Sequence, residues 1–158
     1  MPVSVGDRAP AFELPDQHGQ PFRLADALGR GPVVVFFYPK DETPGCTREA
    51  CAFRDEHEDF VTAGATVIGI SSDDVASHAR FAEKQGFPFA LISDPDETLC
   101  RALDVIQEKS LYGRKFMGIE RSTFLFGPDG ALIQAWHKVK VPGHAQAVLD
   151  SLKAAAHG

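Results

Sequence analysis

Six consecutive apolar, β-branched and aromatic residues, Val33-Val34-Val35-Phe36-Phe37-Tyr38, run into Pro39-Lys40-Asp41-Glu42 and then into Thr43-Pro44-Gly45-Cys46, where a helical pattern begins. The run reads as a buried strand. Thr43 can cap the helix that follows, Pro44 can take its first position, and Gly45 lets the chain approach closely. Cys46 therefore falls in the first helical turn. Unpaired N–H groups and the helix dipole stabilise negative charge there, so the position favours a thiolate, the nucleophilic form of cysteine. Cys51 follows five residues later. A lone cysteine is often only a small buried hydrophobe; here the surrounding string carries the argument.

The remaining pattern supplies the layers around that strand. Residues 7–24 alternate on either side of Asp16-Gln17-His18-Gly19 and read as a β-hairpin. A helix is expected from about Thr43 to Ala63, ended by Gly64, with Ala50, Phe53, Phe60 and Val61 as its apolar stripe. Val67-Ile68-Gly69-Ile70 is the next strand. Ser72 or Asp73 caps a helix that runs to Gln85 and closes at Gly86. Ala90-Leu91-Ile92 reads as a short strand. Asp94-Pro95-Asp96-Glu97 reads as cap, first helical position and capping box of a helix to about Leu103. Residues 107–118 show no period and are expected to be loop, long enough to suggest a functional or mobile segment. A hairpin is expected for 122–126 and 131–136 around Pro128-Asp129-Gly130, and a last helix from about Gly143 to Ala156. Strands alternating with helices, then an antiparallel pair, predict an α/β fold: a central mixed β-sheet with helices on both faces.

Length and charge narrow the function classes. At 158 residues the chain suits one domain, 1–158, with a single sizeable core. A net charge of −6 and the absence of a basic run argue against nucleic acid as a partner. No apolar run approaches the ~18 residues of a membrane span. The start, Met1-Pro2-Val3-Ser4-Val5-Gly6-Asp7, lacks the basic and apolar regions of a signal peptide. Three cysteines are too few for a secreted disulfide scaffold, so the expected location is cytoplasmic. The six histidines show no ligand spacing with each other or with the cysteines, and no metal or cofactor is expected. His57, on the apolar stripe, reads as a packed histidine and Trp136 as structural.

The string Pro39-x3-Thr43-x2-Cys46 has the form of the peroxiredoxin active-site signature. Phe37-Tyr38-Pro39-Lys40-Asp41, Glu49-Ala50-Cys51, Gly118-Ile119-Glu120-Arg121-Ser122-Thr123-Phe124-Leu125 and Lys138-Val139-Lys140-Val141-Pro142-Gly143-His144 resemble the peroxiredoxin Q subfamily, also called bacterioferritin comigratory proteins. The resemblance covers essentially the whole chain. It implies a thioredoxin-like fold with an N-terminal β-hairpin extension, and a monomeric thiol peroxidase acting on hydrogen peroxide and organic hydroperoxides. By the same resemblance Cys46 is the peroxidatic cysteine, and Thr43 supplies a hydroxyl to thiolate and peroxide. Pro39 shields the pocket from water, and Arg121 stabilises the thiolate and the reacting oxygen. On composition alone Arg121 reads as a solvated surface residue. Glu49 is expected on the helix surface, orienting an Arg or Lys.

Cys51 lies where the subfamily often keeps its resolving cysteine. Helical counting puts it with Arg54, Asp55 and Glu58, on or near the polar side, where packing gives it little reason to be a cysteine. Cys100, beside core-like Leu99, reads as packing and is the second candidate for resolution. Similar sequences often carry an aromatic near Ile106, so the pocket wall is expected to differ there. The implied cycle runs from Cys46 thiolate to sulfenic acid to a Cys46–Cys51 disulfide, reduced by thioredoxin or a similar dithiol. Two other readings remain at this point: a thiol–disulfide oxidoreductase, which would want C-x2-C where this chain has C-x4-C, and a redox-switched holdase.

Overall fold

The computed structural model describes residues 3–157. Its centre is a five-stranded sheet in which β3 (Val33–Phe37) is the middle strand. On one side β4 (Thr66–Ser71) and then β5 (Ala90–Ser93) run parallel to it. On the other, β8 (Ser122–Phe126) runs antiparallel to β3, and β9 (Leu132–Trp136) pairs antiparallel with β8. This is the mixed sheet expected from the order of elements, and Pro128-Asp129-Gly130 forms the expected turn between β8 and β9.

All five residues of β3 are buried, and alternate side chains enter two cores. Val34, Phe36 and Tyr38 join α2 (Pro44–Asp55), α3 (His57–Thr62), α4 (Val75–Gln85) and α6 (His144–His157) on one face. Val33, Val35 and Phe37 join α1 (Leu24–Leu28) and α5 (Thr98–Ala102) on the other. Phe36 stacks on Phe53 of α2 with centroids 4.6 Å apart, which seats α2 on the sheet. Truncating a buried aromatic of this kind costs about 3–5 kcal/mol. The N-terminal hairpin, β1 (Glu13–Pro15) with β2 (Pro21–Arg23), is a separate two-stranded sheet. Gln17 fastens it to β5 through the Phe89 carbonyl and the Leu91 N–H.

Several local expectations change. The helix expected over 43–63 is two helices, because the chain leaves helical geometry at Glu56 (φ −103°, ψ 6°). The cap of α4 is Asp74, one residue beyond the expected pair, and its Oδ1 accepts the Ser77 N–H at 2.8 Å. Helix α5 starts only at Thr98, since Asp94-Pro95-Asp96-Glu97 turns instead of entering the helix and Glu97 is left-handed (φ 58°). Asp94 still serves that helix by accepting the Cys100 N–H at 2.9 Å. Helix α1 has no counterpart in the sequence reading.

The largest correction concerns residues 107–118. They are not loop but a hairpin, β6 (Ile106–Leu111) with β7 (Arg114–Ile119). Its two-residue turn, Tyr112-Gly113, has both φ angles positive (51° and 77°), which suits strand twist but places a tyrosine where Gly or Asn is usual. Most of its residues are exposed on both faces, so no alternation of apolar and polar positions marks it.

Candidate active site

Strand β3 ends by handing Tyr38 to a last bond with the Ile70 carbonyl, and the chain then turns through residues 39–43 into α2. Pro39 is half-buried in that turn and Cys46 is the third residue of α2, 1% exposed. Antiparallel β8 pairs Ser122 with Phe37, so Arg121, just before β8, arrives beside the end of β3 and the start of α2. Its Nη2 donates toward Cys46 Sγ at 3.4 Å and its Nη1 donates to Glu49 Oε1 at 2.7 Å. The Arg121 side chain is only 17% exposed, so the surface reading of this residue does not hold. Gly45 leaves it room: a Cβ there would lie 3.2 Å from Nη2.

Glu49 stands three residues after Cys46, hence on the same face of α2. It is 1% exposed, so the expectation of a helix-surface carboxylate is corrected, while its orienting of an arginine is what the geometry supports. Burial pushes its carboxyl up to about 7 against the pull of Arg121, and its Oε2 is buried without a hydrogen-bond partner. Burial opposes the charge of Arg121, but Glu49 and Cys46 together hold its pKa above the usual arginine value.

Thr43 occupies the N-cap position with extended backbone, but its side chain does not cap α2. Its Oγ1 donates to the Lys40 carbonyl at 2.9 Å. The single hydroxyl proton is thereby committed, which leaves the oxygen with acceptor capacity only. A hydrogen bond from this hydroxyl to the thiolate, implied by the resemblance, is therefore not made.

The other thiols are sorted by the two cores. Cys51 is half-buried, packs against the α2 core cluster and has Sγ 3.5 Å from Gln85 Oε1 at the end of α4. The face shared with Arg54, expected from helical counting, is what the structure has, but Gln85 at the end of α4 leaves it half-covered. Nearby, Arg54 Nη1 donates to the Gln85 carbonyl at 2.7 Å. Cys100 is fully buried in the opposite core, and burial followed by Asp94 pushes its thiol far up. Ile106 also packs in that opposite core.

Two further groups stand near the site: Lys109, which had no mark in the sequence pattern, and His144, which closes the Lys138–His144 string of the resemblance. Lys109 of β6 is half-buried; burial and then the charge of Arg121 lower its pKa, while the charges of Cys46 and Glu120 act in the other sense. His144 is buried, bonded to Thr123 Oγ1 at 2.8 Å and edge-on to Trp136 and Phe53. Burial, then Arg121, lowers its pKa to about 4, so it is neutral. His57 packs half-buried against Phe89, as expected of it.

Among the described residues one trio has metal-ligand proximity, Asp41, Asp73 and His78, with ligand atoms within 4.8 Å of one another. Its facing atoms are engaged by protein hydrogen bonds: Tyr38, Ser77 and His78 on Asp41, and Ser71 and the Asp41 N–H on Asp73. A groove of about 420 Å³ lined by Phe22, Arg30, His57, Val61, Pro88 and Phe89 contains none of the residues grouped around Cys46. No helix among the described residues is long and apolar enough to cross a membrane.

A buried thiol in a first helical turn, beside an arginine held by a buried carboxylate, is arranged to receive negative charge and to stabilise a leaving oxygen. The family model of the AhpC/TSA family matches residues 5–135. The chain is 58% identical over 124 residues to Peroxiredoxin Bcp of Xanthomonas campestris pv. campestris, covering 78% of each. It is 46% identical over 153 residues to Peroxiredoxin Bcp of Bacillus subtilis, covering 97% of each. Among solved structures, a cysteine-to-serine variant of Xylella fastidiosa PrxQ superposes with a TM-score of 0.93 at 44% identity, over 99% of each chain. The Xanthomonas campestris bacterioferritin comigratory protein, studied as trapped intermediate and ligand complexes of alkyl peroxide reduction, superposes at 0.86 with 52% identity, over 92% of each.

Proposed function

The chain belongs to the AhpC/TSA family as a peroxiredoxin of the Bcp, or Q, type, a thiol-dependent peroxidase, and on that premise we propose that Cys46 is its peroxidatic cysteine and Cys51 its resolving cysteine. The observation that carries the reading is the Arg121 guanidinium 3.4 Å from Cys46 Sγ at a helix start. The Cys46 thiolate attacks one peroxide oxygen. An S–O bond forms, the O–O bond breaks, and the leaving oxygen departs as alcohol or water once it takes a proton. Arg121 meets the charge developing between sulfur and the oxygens. The Thr43 oxygen accepts the peroxide O–H, and Pro39 limits the access of water to the turn. Cys46 is then a sulfenic acid.

The Cys51 sulfur attacks that sulfenic acid, water leaves, and a disulfide forms. Thioredoxin, or a similar dithiol, returns two electrons and two protons by thiol–disulfide exchange. Organic hydroperoxides belong among the substrates, by likeness to the relative studied with alkyl peroxides. We also propose a monomer of one domain, 1–158, acting in the cytoplasm. The oxidoreductase and holdase alternatives are not favoured. The test is peroxide consumption coupled to thioredoxin and its reductase. Turnover that depends on Cys46 supports the assignment, and equal turnover in Cys46→Ser sinks it.

A further inference from the structure

The turn that delivers α2 contains a non-glycine residue in the left-handed region, Glu42 (φ 62°), directly before Thr43. Such a conformation costs on the order of 1–3 kcal/mol and persists only where its surroundings over-determine it. Here they do so through the neighbouring residue. Asp41 is 6% exposed. Its Oδ1 accepts from the Tyr38 hydroxyl at 2.6 Å, and its Oδ2 accepts from Ser77 Oγ at 2.8 Å and lies 2.7 Å from His78 Nδ1. Its backbone N–H donates to Asp73 Oδ2 at 2.8 Å.

His78, fully buried on α4, completes the attachment: Nε2 lies 3.0 Å from the Ile92 carbonyl of β5. A carbonyl only accepts, so Nε2 is the donor in that contact, and Nδ1 faces the Asp41 carboxylate. The turn is thus bonded at once to β3, α4 and, through His78, β5. One residue back, the Lys40 carbonyl holds the Thr43 hydroxyl.

We propose that Asp41 and His78 are positioning residues for the peroxide step: their buried pair fastens the left-handed turn ahead of α2, and so sets where Thr43 and the first helical turn stand around Cys46. This rests on Cys46 being the nucleophile. The pair touches neither thiol nor peroxide and acts through Lys40 and Thr43. Charge-assisted bonds in a dry interior resist displacement, and breaking such a pair on one side leaves an uncompensated group behind.

The test uses the full chain with Asp41→Asn, checked as folded by circular dichroism. A misplacement near 1 Å is enough to slow chemistry by about 100-fold. We expect the rate constant for hydrogen peroxide to fall at least about tenfold. We also expect the pH profile of Cys46 alkylation, read by peptide mass spectrometry, to move to higher pH. A packing role alone lowers the melting temperature but leaves rate and profile where they were, and that outcome overturns the inference. If Asp41→Asn does not fold, Tyr38→Phe decides. It removes one bond to Asp41 and keeps the ring in the core. A smaller change in the same direction supports the inference, and an unmoved rate and profile overturns it. Dimedone trapping of oxidised Cys51→Ser, in which the sulfenic acid is not consumed by Cys51, separates the two readings. Label on a cysteine other than Cys46 sinks the nucleophile assignment, whereas label on Cys46 with an unmoved variant sinks only the role of the pair.

Discussion

Arg121 reaches across 75 positions of sequence to set its Nη2 3.4 Å from Cys46 Sγ. The contact exists because β8 is antiparallel to β3, with Ser122 opposite Phe37, while α2 begins a few residues beyond β3. A cation at this distance favours the thiolate and the charged transition state. Arg121→Ala is expected to lower the rate with peroxide by about 100-fold and to move the alkylation profile of Cys46 to higher pH. Stopped-flow oxidation and alkylation against pH measure the two effects. An unchanged profile would mean that the guanidinium does not act on the sulfur.

Glu49 and His144 make opposite contributions to stability against pH. Burial holds the Glu49 carboxyl up at about 7, against an ordinary 4.5, with Arg121 opposing. Between those values the fold keeps a proton that the unfolded chain has released, so this contribution is lost as pH rises. For His144, burial and then Arg121 lower the pKa from 6.5 to about 4. Its contribution is present above that range and is lost as pH falls through it. Glu49→Gln removes the first effect alone. Its stability by urea unfolding should therefore rise with pH more steeply than that of wild type from about 4.5 to 7. Parallel curves would show that Glu49 titrates as an ordinary carboxylate.

The three cysteines separate by place. Cys46→Ser should abolish turnover, since a serine hydroxyl stays protonated where the thiol ionises. Cys51→Ser should stall after the sulfenic acid, trapped as a dimedone adduct. Cys100→Ser should retain turnover, because its thiol lies in the core on the far face of the sheet from Cys46. Mass spectrometry of oxidised wild type is expected to show a Cys46–Cys51 bond, and a Cys46–Cys100 bond would reassign resolution.

Forming that bond requires α2 to open. Residues five apart in an intact helix have Cα atoms about 8–9 Å apart, beyond the ~6.8 Å that a disulfide usually tolerates. Cys51 is also turned toward Gln85 and away from Arg121. Hydrogen exchange across 43–54 should therefore rise sharply in the disulfide form and stay protected in the dithiol form. The bond from Arg54 to the Gln85 carbonyl resists this opening. Arg54→Ala should speed disulfide formation several-fold, by the order of about 1 kcal/mol that one such bond contributes, with little change in the peroxide step. Slower resolution in that variant would show that Arg54 assists the sulfur chemistry instead of restraining the helix.

Much of this protein was legible in one dimension wherever local pattern and burial coincide. The apolar run 33–38, the Thr43-Pro44-Gly45-Cys46 helix start and the Pro128-Asp129-Gly130 turn each state their own conformation, because strand burial, helix entry and turn geometry depend on neighbouring residues. The motif resemblance added Arg121 and Pro39 as candidates. Tertiary structure alone decided the rest. It buried Glu49 against Arg121, committed the Thr43 hydroxyl to Lys40, half-covered Cys51 with Gln85 and put Cys100 behind the sheet. It also made a hairpin of 106–119, whose strands are too exposed to show a period, and brought His78 to Asp41 across 37 positions. The physical reason is common to these cases. Burial, and the partner that makes burial of a polar group tolerable, belong to the packing of distant segments, and no local spacing encodes them.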